Sequence, residues 1–178
     1  MEEVGMGKKF NLCRIFIITF IVCQSLTILS ILIAGDLKSN IGYEFMCPVD
    51  SGRITSKFGN RIHPITKTEE HHNGIDIKAL KGSPVYATAE GEIIFTGQKN
   101  NGGYGKSIRI KHENGYESLY AHLEEITVQE GQKVTKGEQI GTVGSSGLSV
   151  MAHLYFEIRK AGNQIDPIKL IDTSKLIF

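Results

Sequence analysis

From Pro48 onward turn-forming residues break the chain every few positions, and the stretches between the breaks are short and rich in β-branched and aromatic residues. Val85-Tyr86-Ala87, Glu92-Ile93-Ile94-Phe95, Ser107-Ile108-Arg109-Ile110 and Ser118-Leu119-Tyr120 have the length of strands and not of helices. Twenty glycines supply much of this punctuation. No apolar spacing of helical period runs through the region, so an all-β sandwich or barrel is expected. In His153-Leu154-Tyr155-Phe156-Glu157-Ile158, alternation puts His153, Tyr155 and Glu157 on one face and Leu154, Phe156 and Ile158 on the other. One strand can therefore pack a core and line a groove.

Two segments echo each other. Gly82-Ser83-Pro84-Val85 leads to Gly91-Glu92-Ile93-Ile94, and Gly131-Gln132-Lys133-Val134 leads to Gly137-Glu138-Gln139-Ile140-Gly141. Each is Gly-x-x-Val, a turn glycine and an apolar strand, the pattern of a hammerhead-like half of a barrel-sandwich hybrid. Biotinyl and lipoyl carriers use such halves, but they display a lysine at a hairpin tip, typically beside methionine. No Met-Lys pair occurs here.

The N-terminal part is different in kind. Residues 15–34 are almost wholly apolar over about 20 positions, the length a bilayer core asks of a helix. Lys8, Lys9 and Arg14 precede this run and Asp36 follows it, which predicts a cytoplasmic N-terminus (1–14), a transmembrane anchor (15–34) and an extracytoplasmic remainder. That remainder divides into a linker (35–44), a β domain (45–170) and a C-terminal tail (171–178). A cleaved signal peptide is the alternative, but Leu32-Ile33-Ala34 lacks the Ala-x-Ala pattern. Cys47 lies too far downstream for a lipoprotein anchor and has no extracytoplasmic cysteine to pair with, so no disulfide framework is expected. The net charge of +1 gives no electrostatic reason to expect nucleic acid.

Several polar residues are candidates for chemistry. His72 and Asp76 stand four apart around Gly74, and strand alternation would turn 72, 74 and 76 to one face. Imidazole nitrogen and carboxylate oxygen are good zinc donors, and a catalytic zinc takes three protein ligands with one position open. The pair alone is equally well read as an ordinary hydrogen-bonded surface pair. His71 would face the other way, into solvent. His122 in Tyr120-Ala121-His122 and His153 each stand at the end of a strand-like run, which makes four such residues in one small domain.

Taken in order, Arg53 to Pro64, His72-Asn73-Gly74-Ile75-Asp76, Gly82-Ser83-Pro84-Val85, Tyr104-Gly105, Tyr120-Ala121-His122-Leu123 and His153 to Ile158 resemble the lysostaphin/LytM-type zinc metallopeptidases over about Phe45 to Pro167. That family consists largely of peptidoglycan endopeptidases. The resemblance implies a barrel-sandwich hybrid or duplicated hybrid motif, His72 and Asp76 as zinc ligands, and His122 and His153 as metal-free catalytic histidines. The third ligand in the family is the second histidine of His-Leu-His-Phe-Glu, and here that position is Tyr155. Ser149-Val150-Met151-Ala152 also stands where the family usually has Gly-Pro. A phenol with a free pKa of about 10 must lose its proton to ligate, so weak zinc or none is expected.

Three functions follow from this reading. The first is a membrane-anchored zinc endopeptidase cutting wall peptide bonds, with Tyr155 or water completing the metal shell. The second is a silent relative that holds peptidoglycan or a protein partner, as non-enzymatic members do in cell division and sporulation. The third is a phosphocarrier using His122 and His153, for which no phosphoryl donor is expected outside the membrane.

Overall fold

The computed structural model describes residues 45–62, 67–98 and 102–178. The expected transmembrane anchor, its cytoplasmic flank and the linker lie outside the described residues. Among the described residues no helix is long and apolar enough to cross a membrane.

The described chain is built from strands and two short 3-10 turns. The strands are β1 (Gly52–Ser56), β2 (Gly59–Ile62), β3 (Glu69–His72), β4 (Ile75–Lys78), β5 (Pro84–Tyr86), β6 (Gly91–Gly97) and β7 (Ser107–Lys111). They continue with β8 (Tyr116–Ala121), β9 (Leu123–Ile126), β10 (Lys133–Val134), β11 (Gln139–Val143), β12 (Leu154–Lys160), β13 (Asn163–Ile165) and β14 (Leu176–Ile177). The main sheet runs β10-β6-β7-β8-β12-β4-β1-β14, with β13 also paired to β12, and β5-β11-β9 and β2-β3 form two smaller sheets. The segment read as a C-terminal tail contributes β14, which pairs parallel with β1.

The two echoing segments interlock crosswise. β5 of the first pairs with β11 of the second, while β10 of the second pairs with β6 of the first. Gly82, Gly131 and Gly137 turn the chain at φ of 82°, 81° and 85°, a region that L side chains avoid.

The core face of β12 is as expected, but its other face is buried too: Tyr155 borders the cleft, whereas Glu157 is fully buried and does not line it. Leu154, Phe156 and Ile158 are fully buried with Ile75, Ile77, Ile108 and Ile110, each large side chain contributing about 1.5–3 kcal/mol by leaving water. A polar string runs through this core: His112 Nδ1 donates to the Glu90 carbonyl at 2.7 Å and Nε2 bonds Ser118 Oγ at 2.7 Å. Ser118 Oγ bonds the Tyr120 hydroxyl at 3.0 Å, and that hydroxyl bonds Thr88 Oγ1 at 2.8 Å. Burial presses the His112 pKa below its ordinary value, only partly offset by the Glu90 carbonyl and Glu117, so its imidazole is held neutral.

Candidate active site

Four of the sequence candidates come together at one end of β12. His72 closes β3 and Asp76 lies in β4, so the single strand expected over 72–76 is in fact two, turned at Asn73-Gly74. Gly74 is needed there, because an added Cβ would come within 2.9 Å of Tyr155 Cζ. His153 precedes β12, where it bridges to Gly144, and Tyr155 registers against Asp76 on one side and Ala121 on the other. His122 follows β8 at φ 62°, a conformation uncommon outside glycine and one that clusters at functional sites. It is fixed by donation of its backbone N–H to the Tyr104 carbonyl at 2.9 Å.

These side chains line a cleft of about 690 Å³. Arg61, Tyr104 and the loop Leu148 to Met151 complete its walls, and Leu148 and Val150 of that loop are 82% and 80% exposed. His71 is exposed and bonds Asn60 Oδ1 at 2.8 Å.

All three cleft imidazoles are oriented in the same way. Nδ1 of His72 lies 2.9 Å from the Lys57 carbonyl, Nδ1 of His122 2.8 Å from the Ser146 carbonyl and Nδ1 of His153 2.9 Å from the Met151 carbonyl. A carbonyl only accepts, so each Nδ1 carries the proton. Asp76 Oδ1 lies 3.5 Å from His72 Nε2 and 3.6 Å from His153 Nε2, while Oδ2 accepts from Arg61 Nη1 at 3.3 Å. Burial pushes the Asp76 carboxyl upward, yet His72, His153 and Arg61 outweigh it and hold it below the usual carboxylate range. Burial lowers the His122 pKa, with His153 beside it at 4.7 Å between ring centroids. A neutral imidazole of this kind can accept a proton.

Tyr155 is engaged elsewhere. Its hydroxyl donates to Glu157 Oε2 at 2.7 Å, and the fully buried Glu157 carboxylate also receives Arg159 Nε and, at 3.4 Å, the Tyr104 hydroxyl. Burial and then the Glu157 charge drive the phenol far above its ordinary pKa. The Tyr155 ring packs against His72, with centroids 5.4 Å apart, and against Tyr104, at 5.2 Å. Among the described residues no three His, Cys, Asp or Glu groups already stand together as a metal cage. His72 and Asp76 suit zinc, but a phenol that keeps its proton and donates it in a hydrogen bond to Glu157 does not supply the third donor. The set His72, Asp76 and Tyr155 thus does not fit a three-ligand zinc site.

Sequence reasoning missed the Glu157 anchor and the role of Arg61. Both were visible as residues: Glu157 shares the face of Tyr155, and Arg61 belongs to the motif leading to His63. What sequence cannot give is which donor meets which acceptor.

The described chain is thus an all-β unit with a His/Asp cleft at the end of one central strand. The chain belongs to peptidase family M23, whose model matches residues 70–167. It is 47% identical over 123 residues to a DD-carboxypeptidase/endopeptidase Mpg of Neisseria meningitidis serogroup B, covering 69% of this chain and 28% of that protein. It is 39% identical over 124 residues to the murein hydrolase activator NlpD of Escherichia coli K12, covering 70% of this chain and 32% of that one. Among solved structures, a zinc containing peptidase from Vibrio cholerae matches at a TM-score of 0.64 and 35% identity, over 69% of this chain and 39% of that chain. The chain therefore spans less than a third of these two curated relatives.

Proposed function

We propose that this M23 domain works at peptidoglycan, on the outer side of the cytoplasmic membrane and held there by an anchor over 15–34. Its cleft grips a wall peptide, and efficient zinc hydrolysis has been lost. The β domain is read as a duplicated hybrid motif, a topology supported by the crosswise pairing of its two echoing segments. One observation carries the loss of hydrolysis: the hydroxyl at the third-ligand position is bonded to the buried Glu157. A relative named as a DD-carboxypeptidase/endopeptidase supports a wall target, and one named as a murein hydrolase activator supports a role there other than cutting.

The test is incubation of the purified full-length chain with intact peptidoglycan sacculi and excess zinc. Co-sedimentation without released muropeptides is expected; release abolished by His122→Ala would overturn the reading.

A second reading, a working zinc endopeptidase, is favoured by the convergence of His72, Asp76, His122 and His153 on one cleft. Bound zinc would there polarise a peptide carbonyl and acidify water. Of this chain's own groups, His122 Nε2 would take up a proton and Arg61 would hold Asp76 in place.

A further inference from the structure

Strand β1 has one end in the cleft and the other beside β14. Thr55 and Ser56 line the cleft, while Gly52 and Arg53 register against Leu176 and Ile177. At about 3.3 Å per residue the two ends stand about 13 Å apart along a single strand. Packed, hydrogen-bonded elements of this kind carry coupling between separate groups.

The cleft end of β1 grips two of the site residues. Thr55 Oγ1 donates to the Asp76 carbonyl at 3.3 Å, and Ser56 registers against Asp76 after a break in the β1–β4 ladder. Ser56 Oγ accepts from Arg61 Nη1 and lies 3.5 Å from His72 Nδ1, and the Lys57 carbonyl, next along the chain, accepts from that same Nδ1 at 2.9 Å. His122 and His153 are oriented from elsewhere, by the carbonyls of Ser146 and Met151. Of the three cleft imidazoles, His72 is therefore the one whose direction is set by β1 and its exit.

The far end of β1 is closed by β14. Gly52 donates its N–H to the Lys175 carbonyl at 3.3 Å, and a Cβ at Gly52 would lie 2.6 Å from Ile77 Cγ2 and 3.6 Å from Leu176 Cδ2. Only a glycine lets β4 and the buried Leu176 close on β1 so tightly. Lys175 Nζ meets Asp50 Oδ1 at 3.4 Å, which fixes the approach of β14. Past the strand, the Lys57 ammonium stands 5.7 Å from the centre of the Phe178 ring, within cation–π reach. Lys57 is thus held through its side chain by Phe178 while its carbonyl holds His72.

We infer that β14 is a positioning strap for the cleft: Leu176 pins the outer end of β1, Phe178 pins Lys57, and together they set the direction of the His72 ring. Both are positioning residues, since they act on the site through Ser56 and Lys57 and touch nothing that enters it. Weakening the strap unsettles His72 while the loop that orients His122 and His153 is left as it is. The consequence for the grip on peptide rests on the peptidoglycan reading; the control of His72 does not.

The test is nuclear magnetic resonance of the full-length chain in detergent, with nitrogen-15 in its histidine rings. Leu176→Ala and Phe178→Ala should move the His72 ring nitrogens and leave those of His112 and His122 at their wild-type positions. Both should weaken co-sedimentation with sacculi by about 3–10-fold, the scale of one hydrogen bond. Leu176→Met keeps the bulk and Phe178→Tyr keeps the ring, so each should hold both readouts at the wild-type value. Phe178 is largely exposed, so its variant reports on the strap even where Leu176→Ala unfolds the chain. A His72 signal that stays put in Phe178→Ala would overturn the inference, as would equal movement at His112, the mark of general loosening. The two proposals separate on the same samples. A shifted His72 in a chain whose wild type ignores sacculi sinks the peptidoglycan reading alone, and wall binding with an unmoved His72 sinks the strap alone.

Discussion

His112 and the three cleft histidines lie in one small β unit, yet their nitrogens meet opposite fates. His112 has a partner on each side, the Glu90 carbonyl and Ser118 Oγ, and the string continues through Tyr120 to Thr88 with every member buried. His72, His122 and His153 are held at Nδ1 by backbone carbonyls, and the Nε2 atoms of His72 and His153 converge on the Asp76 carboxylate inside an open cleft. An imidazole sealed in the core is a structural part, whereas imidazoles gathered on a half-buried acid in an open cleft mark a place where something binds. The same contrast runs along β12. Tyr155 and Glu157 are closed upon each other, and His153, two residues earlier, turns Nε2 into the cleft towards Asp76.

The largest effect should come from the closed side. Glu157→Ala leaves Arg159 and two tyrosine hydroxyls without their acceptor, and breaking a buried pair from one side costs about 3–5 kcal/mol. Urea unfolding measures it; a loss under about 1 kcal/mol would mean that Tyr155 is not locked by this carboxylate. His112→Ala should cost about 1–3 kcal/mol by removing its bonds to Ser118 and the Glu90 carbonyl from the core, while leaving sacculus binding unchanged. A drop in sacculus binding in that variant would erase the distinction between the two groups.

Acid sharpens the comparison further. The folded His112 pKa lies below the unfolded value of about 6.5, so the unfolded state takes up its proton first. Stability should be complete above that unfolded value and fall as pH drops through it towards the folded one. Thermal melts across this window, in wild type and His112→Gln, should show a shallower decline in the variant. Ser146→Ala is the mildest probe, removing bonds to the Leu123 carbonyl and the Lys106 N–H for about 1 kcal/mol. It should loosen the loop whose carbonyl orients His122, a change visible as faster amide exchange near Leu148.

Much of this was legible in the sequence because alternation is a local property. The pattern of β12 picked out Leu154, Phe156 and Ile158 as core residues, and the echoing Gly-x-x-Val segments marked two stretches that pair with each other. Their crosswise pairing was not legible, since nothing in either segment says which strand of the other it meets. His72, Asp76, His122 and His153 could be named from spacing and motif order. The fate of Tyr155 could not, because it depends on a carboxylate two residues on being buried deeply enough to claim a hydroxyl. His112 escaped notice for the opposite reason: its partners, Glu90 and Ser118, come from different turns of the chain.

The most direct test of the central claim is to restore the missing histidine. Tyr155→His should raise zinc affinity by about 10–100-fold and make the full-length chain release muropeptides from sacculi that the parent leaves intact. If affinity is unchanged and the parent already digests sacculi as fast as the variant, Tyr155 was never the obstacle and the account fails.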